Sequence, residues 1–230
     1  MWEQDIADTR ERYRARYREH GYSPVTLGWN KDCRAVRFEA ALEGLREHEY
    51  TSILDVGCGF ADLLGYLRNR GWKGQYTGVD LVPELLQEAR ERYGCSTEAA
   101  FDCLDISGQS CQIKADMAVA LGIFNHKVRQ GNLEFIGTML EAMWNCSARV
   151  VVCDFLSTSS EIERRKDNLY YADPRVIYEI ASRYSRRIMI HHSYMPFEFQ
   201  VKIWHDDSYA VEVPVFPPYC DLASRPNPVP

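Results

Sequence analysis

The residues Ile53-Leu54-Asp55-Val56-Gly57-Cys58-Gly59-Phe60-Ala61-Asp62 have the types and spacing most suited to chemistry in this 230-residue chain. A short apolar run carries an acid near its end, and a Gly-x-Gly turn leads into a helix. Two glycines let a ligand approach the backbone where a side chain would collide. In open α/β sheets, ligands bind at this carboxyl edge of the strands. A dinucleotide fingerprint needs a third glycine at position 62, for close helix approach to a pyrophosphate. The chain has Asp62 there. Asp55, just before the turn, would repel a diphosphate and attract a cation.

The pattern therefore suits a cationic, phosphate-free nucleoside, a description that S-adenosylmethionine fits. Two further acids support it. Tyr76-Thr77-Gly78-Val79-Asp80-Leu81 ends in Asp80, 21 residues after Gly59 and placed to accept both ribose hydroxyls. Phe101-Asp102-Cys103-Leu104 follows. Asp102 is expected to accept from the exocyclic amine of adenine, with the Cys103 amide on the ring and Leu81 against its face. Asp105 competes with Asp102 for that role.

Alternating strands and helices must position these acids. Apolar runs predict strands at about 52–56, 76–81, 97–106, 115–124, 149–155, 187–194 and 197–204. Helices are predicted at 61–70, 83–94, 133–144 and 174–184, the second opened by Pro83 and closed by Gly94. Apolar strands alternating with amphipathic helices mean an α/β fold, a doubly wound and mostly parallel sheet. Only two or three residues join the last two strands, too few for a crossover, so the seventh strand is expected to run antiparallel. Two helices precede the sheet, residues 3–20 and one from about Asp32, a good N-cap. In the first, Ile6, Tyr13 and Tyr17 share a face. The alternate arginines from Arg10 to Arg18 read as a solvated face. The expected division is a helical lid at 1–50, a cofactor-binding domain at 51–205 and a tail at 206–230 holding six of the ten prolines.

These elements in this order resemble the class I, Rossmann-like S-adenosylmethionine-dependent methyltransferases, over about residues 50–205. The antiparallel last strand matches that family's reversed final hairpin. The resemblance implies a cofactor loop of Asp55, Gly57, Cys58 and Gly59, with Asp80 at the ribose and Asp102 at the adenine. It also implies that Leu121-Gly122-Ile123-Phe124-Asn125 faces the methyl donor. The amino-methyltransferase subgroup carries Asn/Asp-Pro-Pro-Tyr at that strand end, and Phe124-Asn125-His126-Lys127 departs from it.

On the acceptor side, Tyr22, Trp29, Asn30 and Lys31 lie between the leading helices, where a lid would fold over the sheet edge. Trp29 or Tyr22 is expected to face the sulfonium, a cation-π contact worth roughly 0.5–2 kcal/mol, or else to cap the domain core. Arg37 resembles the family's arginine that pairs with the methionine carboxylate, with Arg34 close by on the same helix. Asn125, His126 and Tyr171 are the catalytic candidates. His126 is either a general base with a pKa near neutrality or a solvated loop residue. Of His191 and His192, alternating on the sixth strand, one is expected to point toward the site.

Composition bounds the reading. With 27 Lys+Arg against 33 Asp+Glu, the net charge is -6, which argues against a general nucleic-acid or anionic-membrane binder. No apolar run reaches the ~20 residues of a membrane span. Eight cysteines without a C-x-x-C pair point to reduced thiols, no metal and a cytoplasmic setting. The expected activity is methyl transfer to a small-molecule acceptor. The alternatives are a cyclase releasing methylthioadenosine and azetidine-2-carboxylate from the same cofactor, and a non-catalytic binding module.

Overall fold

The computed structural model describes residues 2–29, 33–45, 49–94, 98–108 and 112–223. Asn30, Lys31 and the expected N-cap Asp32 lie outside the described residues, as do Thr97, Cys95, Cys111 and the end of the Pro-rich tail. Helices α1 (Glu3–His20) and α2 (Arg34–Leu42) come first. The alternating core follows as β1 (Ser52–Val56), α3 (Asp62–Asn69), β2 (Gln75–Asp80), α4 (Pro83–Tyr93), β3 (Ala99–Cys103) and β4 (Ala115–Ala120). Then come α5 (Asn132–Cys146), β5 (Ser147–Leu156), α6 (Pro174–Ala181), β6 (Ile188–Met195) and β7 (Glu198–Trp204). A short helical turn, α7 (Cys220–Ala223), follows in the exposed tail.

The seven strands form one sheet in the order β3-β2-β1-β4-β5-β7-β6. All pairs are parallel except those made by β7, which runs antiparallel to both β5 and β6. The strand order reverses between β1 and β4, and a cleft opens there at the carboxyl ends. One face of the sheet packs on α5 and α6 through Ile136, Leu140, Met143 and Ile177. The other packs on α2, α3 and α4 through Phe38, Leu64, Leu67 and Leu86. The central strands are buried on both faces, which is why they read as continuous apolar runs.

Two strands end earlier than their apolar runs. β3 stops at Cys103 and β4 at Ala120, because the next residues turn out of the sheet to line the cleft. Gly122, at φ +88°, makes the second turn in a conformation that L side chains rarely adopt.

Helix α2 is fixed by a buried polar ladder on β7. Glu198, Gln200 and Lys202 are all fully buried and share one strand face. Glu198 accepts from Arg37, the Gln200 amide donates to the Arg37 carbonyl, and Lys202 Nζ donates to the Ala40 carbonyl at 2.7 Å. Burial pulls the Lys202 ammonium down to about 8. Lys202→Ala is expected to cost about 2–4 kcal/mol in urea unfolding, from lost stem packing and an orphaned carbonyl. Lys202→Met should recover most of that loss, since the apolar stem returns and no charge is buried.

Candidate functional site

A cavity of about 480 Å³ lies over the carboxyl ends of β1, β2 and β4, in the range of small-ligand pockets. The turn after β1 forms its floor. Gly57 sits at φ +75°, and a Cβ there would come within 2.4 Å of Ile123 Cγ2. Gly59, at φ +54°, runs against Leu27. The amides of Gly57 and Cys58 both donate to the Val79 carbonyl, tying this turn to β2. Asp80 reinforces the tie, accepting from the Gly59 amide at 2.9 Å through one oxygen and from the Val82 amide at 2.9 Å through the other. Burial raises its carboxyl above the usual range.

Asp55 is buried at the end of β1 and accepts from the Tyr76 hydroxyl. Desolvation pushes it up to about 7, with the Asp80 and Asp62 carboxylates acting in the same direction against the Tyr76 bond. Cys58 is buried beside it, and burial pushes that thiol up as well. Asp55, Gly57, Cys58, Gly59, Asp80, Leu81, Leu121, Gly122 and Trp29 all line the cavity.

Asp102 and Cys103 do not. Both are exposed at the end of β3, and neither lines the cavity. The chain reaches the cavity only after the strand, through Leu104, Asp105, Ile106 and Ser107. Asp105 accepts from the Ser107 amide and hydroxyl, so the acid on this wall is Asp105.

Helix α1 forms the roof. Trp2, Ile6, Thr9, Arg12 and Tyr13 face the cavity. The roof is held at both ends, by Arg129 on Asp5 and Asp8 and by Arg14 on Glu84. The expected solvated face holds for Arg18 alone of the five, and Arg10, Arg12, Arg14 and Arg16 are half-buried. Arg10 donates to the Leu81 carbonyl and Arg16 lies over the Tyr13 ring, since alternate positions on a helix spread around its circumference.

Arg37 is turned away from the cavity. Its guanidinium makes a bidentate pair with buried Glu198 and stacks over Trp29 at 4.7 Å. Arg34 pairs with Asp62 instead. Trp29 keeps its place on the cavity wall, whereas Tyr22 donates to Asp62 under the Arg92 guanidinium and lies outside the lining.

Of the catalytic candidates, only His126 lines the cavity. Asn125 lies behind it, with Oδ1 buried and without a hydrogen-bond partner among the described residues. The Tyr171 hydroxyl accepts from the Lys166 amide, and Arg165 covers its ring, which holds it in the loop after β5. His191 bonds Ser193 and His192 packs near Phe199, so neither reaches the cavity. The His126 imidazole is pulled down to about 4, chiefly by burial and then by the Arg12 and Arg16 charges, against a hydrogen bond to the Asn168 backbone. Its Nδ1 is buried and finds no partner among the described residues. His126 is therefore neutral at pH 7.

The cradle fits the nucleoside that the residue pattern called for. Its floor leaves no room for a Cβ, Asp55 and Asp80 sit at strand ends, and burial makes Asp55 easier to protonate, so a bound cation would favour its charged form. A methyltransferase-domain family model matches residues 53–143. A Mycobacterium tuberculosis H37Rv protein carried under a methyltransferase name is 34% identical over 156 residues, covering 66% of this chain and 92% of that protein. Two solved structures share the fold. Magnesium protoporphyrin IX methyltransferase from Synechocystis, with bound S-adenosylhomocysteine, has a TM-score of 0.59 at 15% identity, over 87% of this chain and 99% of that one. N-methyltransferase NodS from Bradyrhizobium japonicum has 0.60 at 15%, over 84% and 97%. The chain belongs to the class I S-adenosylmethionine-dependent methyltransferase family.

The folded chain binds the Asp55 proton more tightly than the unfolded chain does. Relative to Asp55→Asn, the cofactor-free parent should therefore lose stability as pH rises from about 4 to about 7, by roughly 1.4 kcal/mol for each pH unit crossed. Urea unfolding of both proteins across that range measures the difference. A difference that does not change with pH would show that Asp55 keeps its ordinary pKa.

Proposed function

We propose that this chain transfers the methyl group of S-adenosylmethionine to a small-molecule acceptor, releasing S-adenosylhomocysteine. The observation that carries this reading is the shared cavity: the cofactor-type floor at Gly57–Gly59 and the roof helix α1 enclose one space. In this reading Gly57, Cys58 and Gly59 carry the backbone against the cofactor and Asp80 receives the ribose hydroxyls. Asp105 takes the adenine amine, and Leu81 lies on the ring. Trp29, Leu121 and Gly122 border the methionine end. Residues 2–45 act as the lid, the division expected from the chain's first 50 residues.

The cofactor supplies a methyl group already activated by its sulfonium. What is left to the chain is to hold the acceptor in line with that carbon and to exclude water. The α1 roof covers part of the cavity and so limits the access of water. His126, neutral and with Nδ1 unpartnered among the described residues, accepts a hydrogen bond from the acceptor. A small acceptor is supported by the enclosed cavity and the acidic net charge, which disfavours nucleic acid. Among the described residues no helix is long and apolar enough to cross a membrane. The buried thiols of Cys58 and Cys153, not joined in disulfides, support a reducing, cytoplasmic setting.

Incubation with S-adenosylmethionine and a panel of small acceptors should give S-adenosylhomocysteine only when an acceptor is present. Methylthioadenosine formed from the cofactor alone would replace this reading with intramolecular cyclisation. Asp80→Ala should weaken S-adenosylhomocysteine binding by about tenfold or more in calorimetry, because hydrogen bonds to a charged partner are worth about 1.5–3 kcal/mol. Unchanged affinity would remove Asp80 from the ribose site.

A further inference from the structure

We propose that the methyl acceptor is an organic acid, its carboxylate paired with Arg12 and its apolar body packed on Ile6, Phe135 and Met139. The proposal rests on the methyltransferase reading of the cavity and names the class of molecule that shares it with the cofactor.

The arginines of α1 have different fates. Arg10 is bonded to the Leu81 carbonyl, Arg14 is paired with Glu84, and Arg18 with Glu11. Arg12 lines the cavity, and its Nη1 is buried without a hydrogen-bond partner among the described residues. The acids nearest to it on the helix are already engaged: Asp5 and Asp8 both hold Arg129, and Asp8 also accepts from Gln4. A buried N–H left without an acceptor is costly, and a guanidinium cannot shed its charge in a protein. Its planar fork of donors matches a carboxylate in two parallel bonds.

Two neighbours strengthen the positive field on this wall. Lys127 also lines the cavity, and Arg16 bears on His126 together with Arg12. His126 remains neutral between them, so it adds no charge and presents a lone pair. Asp5, Asp8 and Arg129 also line this end and pair with one another, and an apolar wall lies beside them. Ile6 and Trp2 come from the roof, and Phe135 and Met139 come from α5, with Trp2 meeting Phe135 edge-on at 5.4 Å. A charged fork beside an apolar wall selects a molecule with one anionic end and a hydrocarbon or aromatic remainder.

The cofactor has a carboxylate of its own, so two sources share this chemistry. Position favours the acceptor. Arg12 acts on His126, on the loop after β4, whereas the methyltransferase reading puts the methionine end beside Gly57–Gly59 and Trp29.

The test is calorimetry on the protein loaded with S-adenosylhomocysteine, using octanoate and 3-phenylpropanoate as probes against the matching neutral amides. The acids should bind about tenfold or more tightly than the amides, as a charge-assisted bond predicts. Arg12→Gln should abolish that preference, Arg12→Lys should restore part of it, and Arg18→Gln, on the exposed side of α1, should leave it intact. Amides that bind as well as acids, or a preference that survives Arg12→Gln, overturn the proposal. If Arg12→Gln weakens S-adenosylhomocysteine but not methylthioadenosine, which lacks the amino-acid end, Arg12 holds the cofactor's carboxylate and the acceptor assignment falls. A parent protein that binds S-adenosylhomocysteine without preferring acids refutes this inference alone. A parent that binds neither nucleoside refutes the methyltransferase reading with it.

Discussion

The carboxylate of Asp80 is the constraint on which the rest of the site depends. It ends β2 and takes the Gly59 amide on one oxygen and the Val82 amide on the other. Those two bonds join the turn after β1 to the start of α4. Without them, the Gly-x-Gly turn would be tied to β2 only by the two amides on the Val79 carbonyl. Each carboxylate oxygen can accept more than one hydrogen bond, so both retain capacity for a ligand's hydroxyls. The same acid thus shapes the loop and faces the cavity.

The roof and the floor are held by different means. α1 is anchored by ion pairs at partly exposed positions, and such pairs are individually weak. α2 is anchored by buried polar groups on β7, which are expensive to leave unpaired. The contrast has a functional reading. A cofactor and an acceptor must enter beneath α1, so a weakly held roof suits exchange. The firmly held α2 keeps Phe38 and Trp29 on the cavity wall.

Much of the fold could be read in the sequence because it rests on periodicity. The apolar runs, Pro83, Gly94 and the short link before β7 each have a local cause, whereas the order of the strands was seen only in the folded sheet. The β1 turn and Asp80 were legible for the same reason. What escaped was set by side-chain direction or by distant partners. Asp102 and Asp105 differ by three residues, yet β3 ends between them and only the turn beyond brings an acid to the cavity. Arg37 sits on the expected helix, but its partner Glu198 is 161 residues away and invisible to helical spacing. The arginine series of α1 looked solvated because the partners of Arg10 and Arg14, and the cavity beneath Arg12, come from later elements. His126 was visible as a candidate, whereas its neutrality depends first on burial and then on Arg12 and Arg16, none of which helical spacing reveals.

The buried charges behind Trp29 obey one further constraint. Arg37 faces Glu198 directly, and the Tyr194 hydroxyl also donates to that carboxylate. Asp154, fully buried on the adjoining strand, accepts from the Gly122 amide at 2.6 Å, and its second oxygen has no partner among the described residues. One guanidinium cannot balance two carboxylates in a place without water. Burial and the Glu198 charge push Asp154 upward, so its proton supplies the balance that a second cation would otherwise provide. The cavity therefore inherits a Gly122 backbone fixed from behind by a neutral acid.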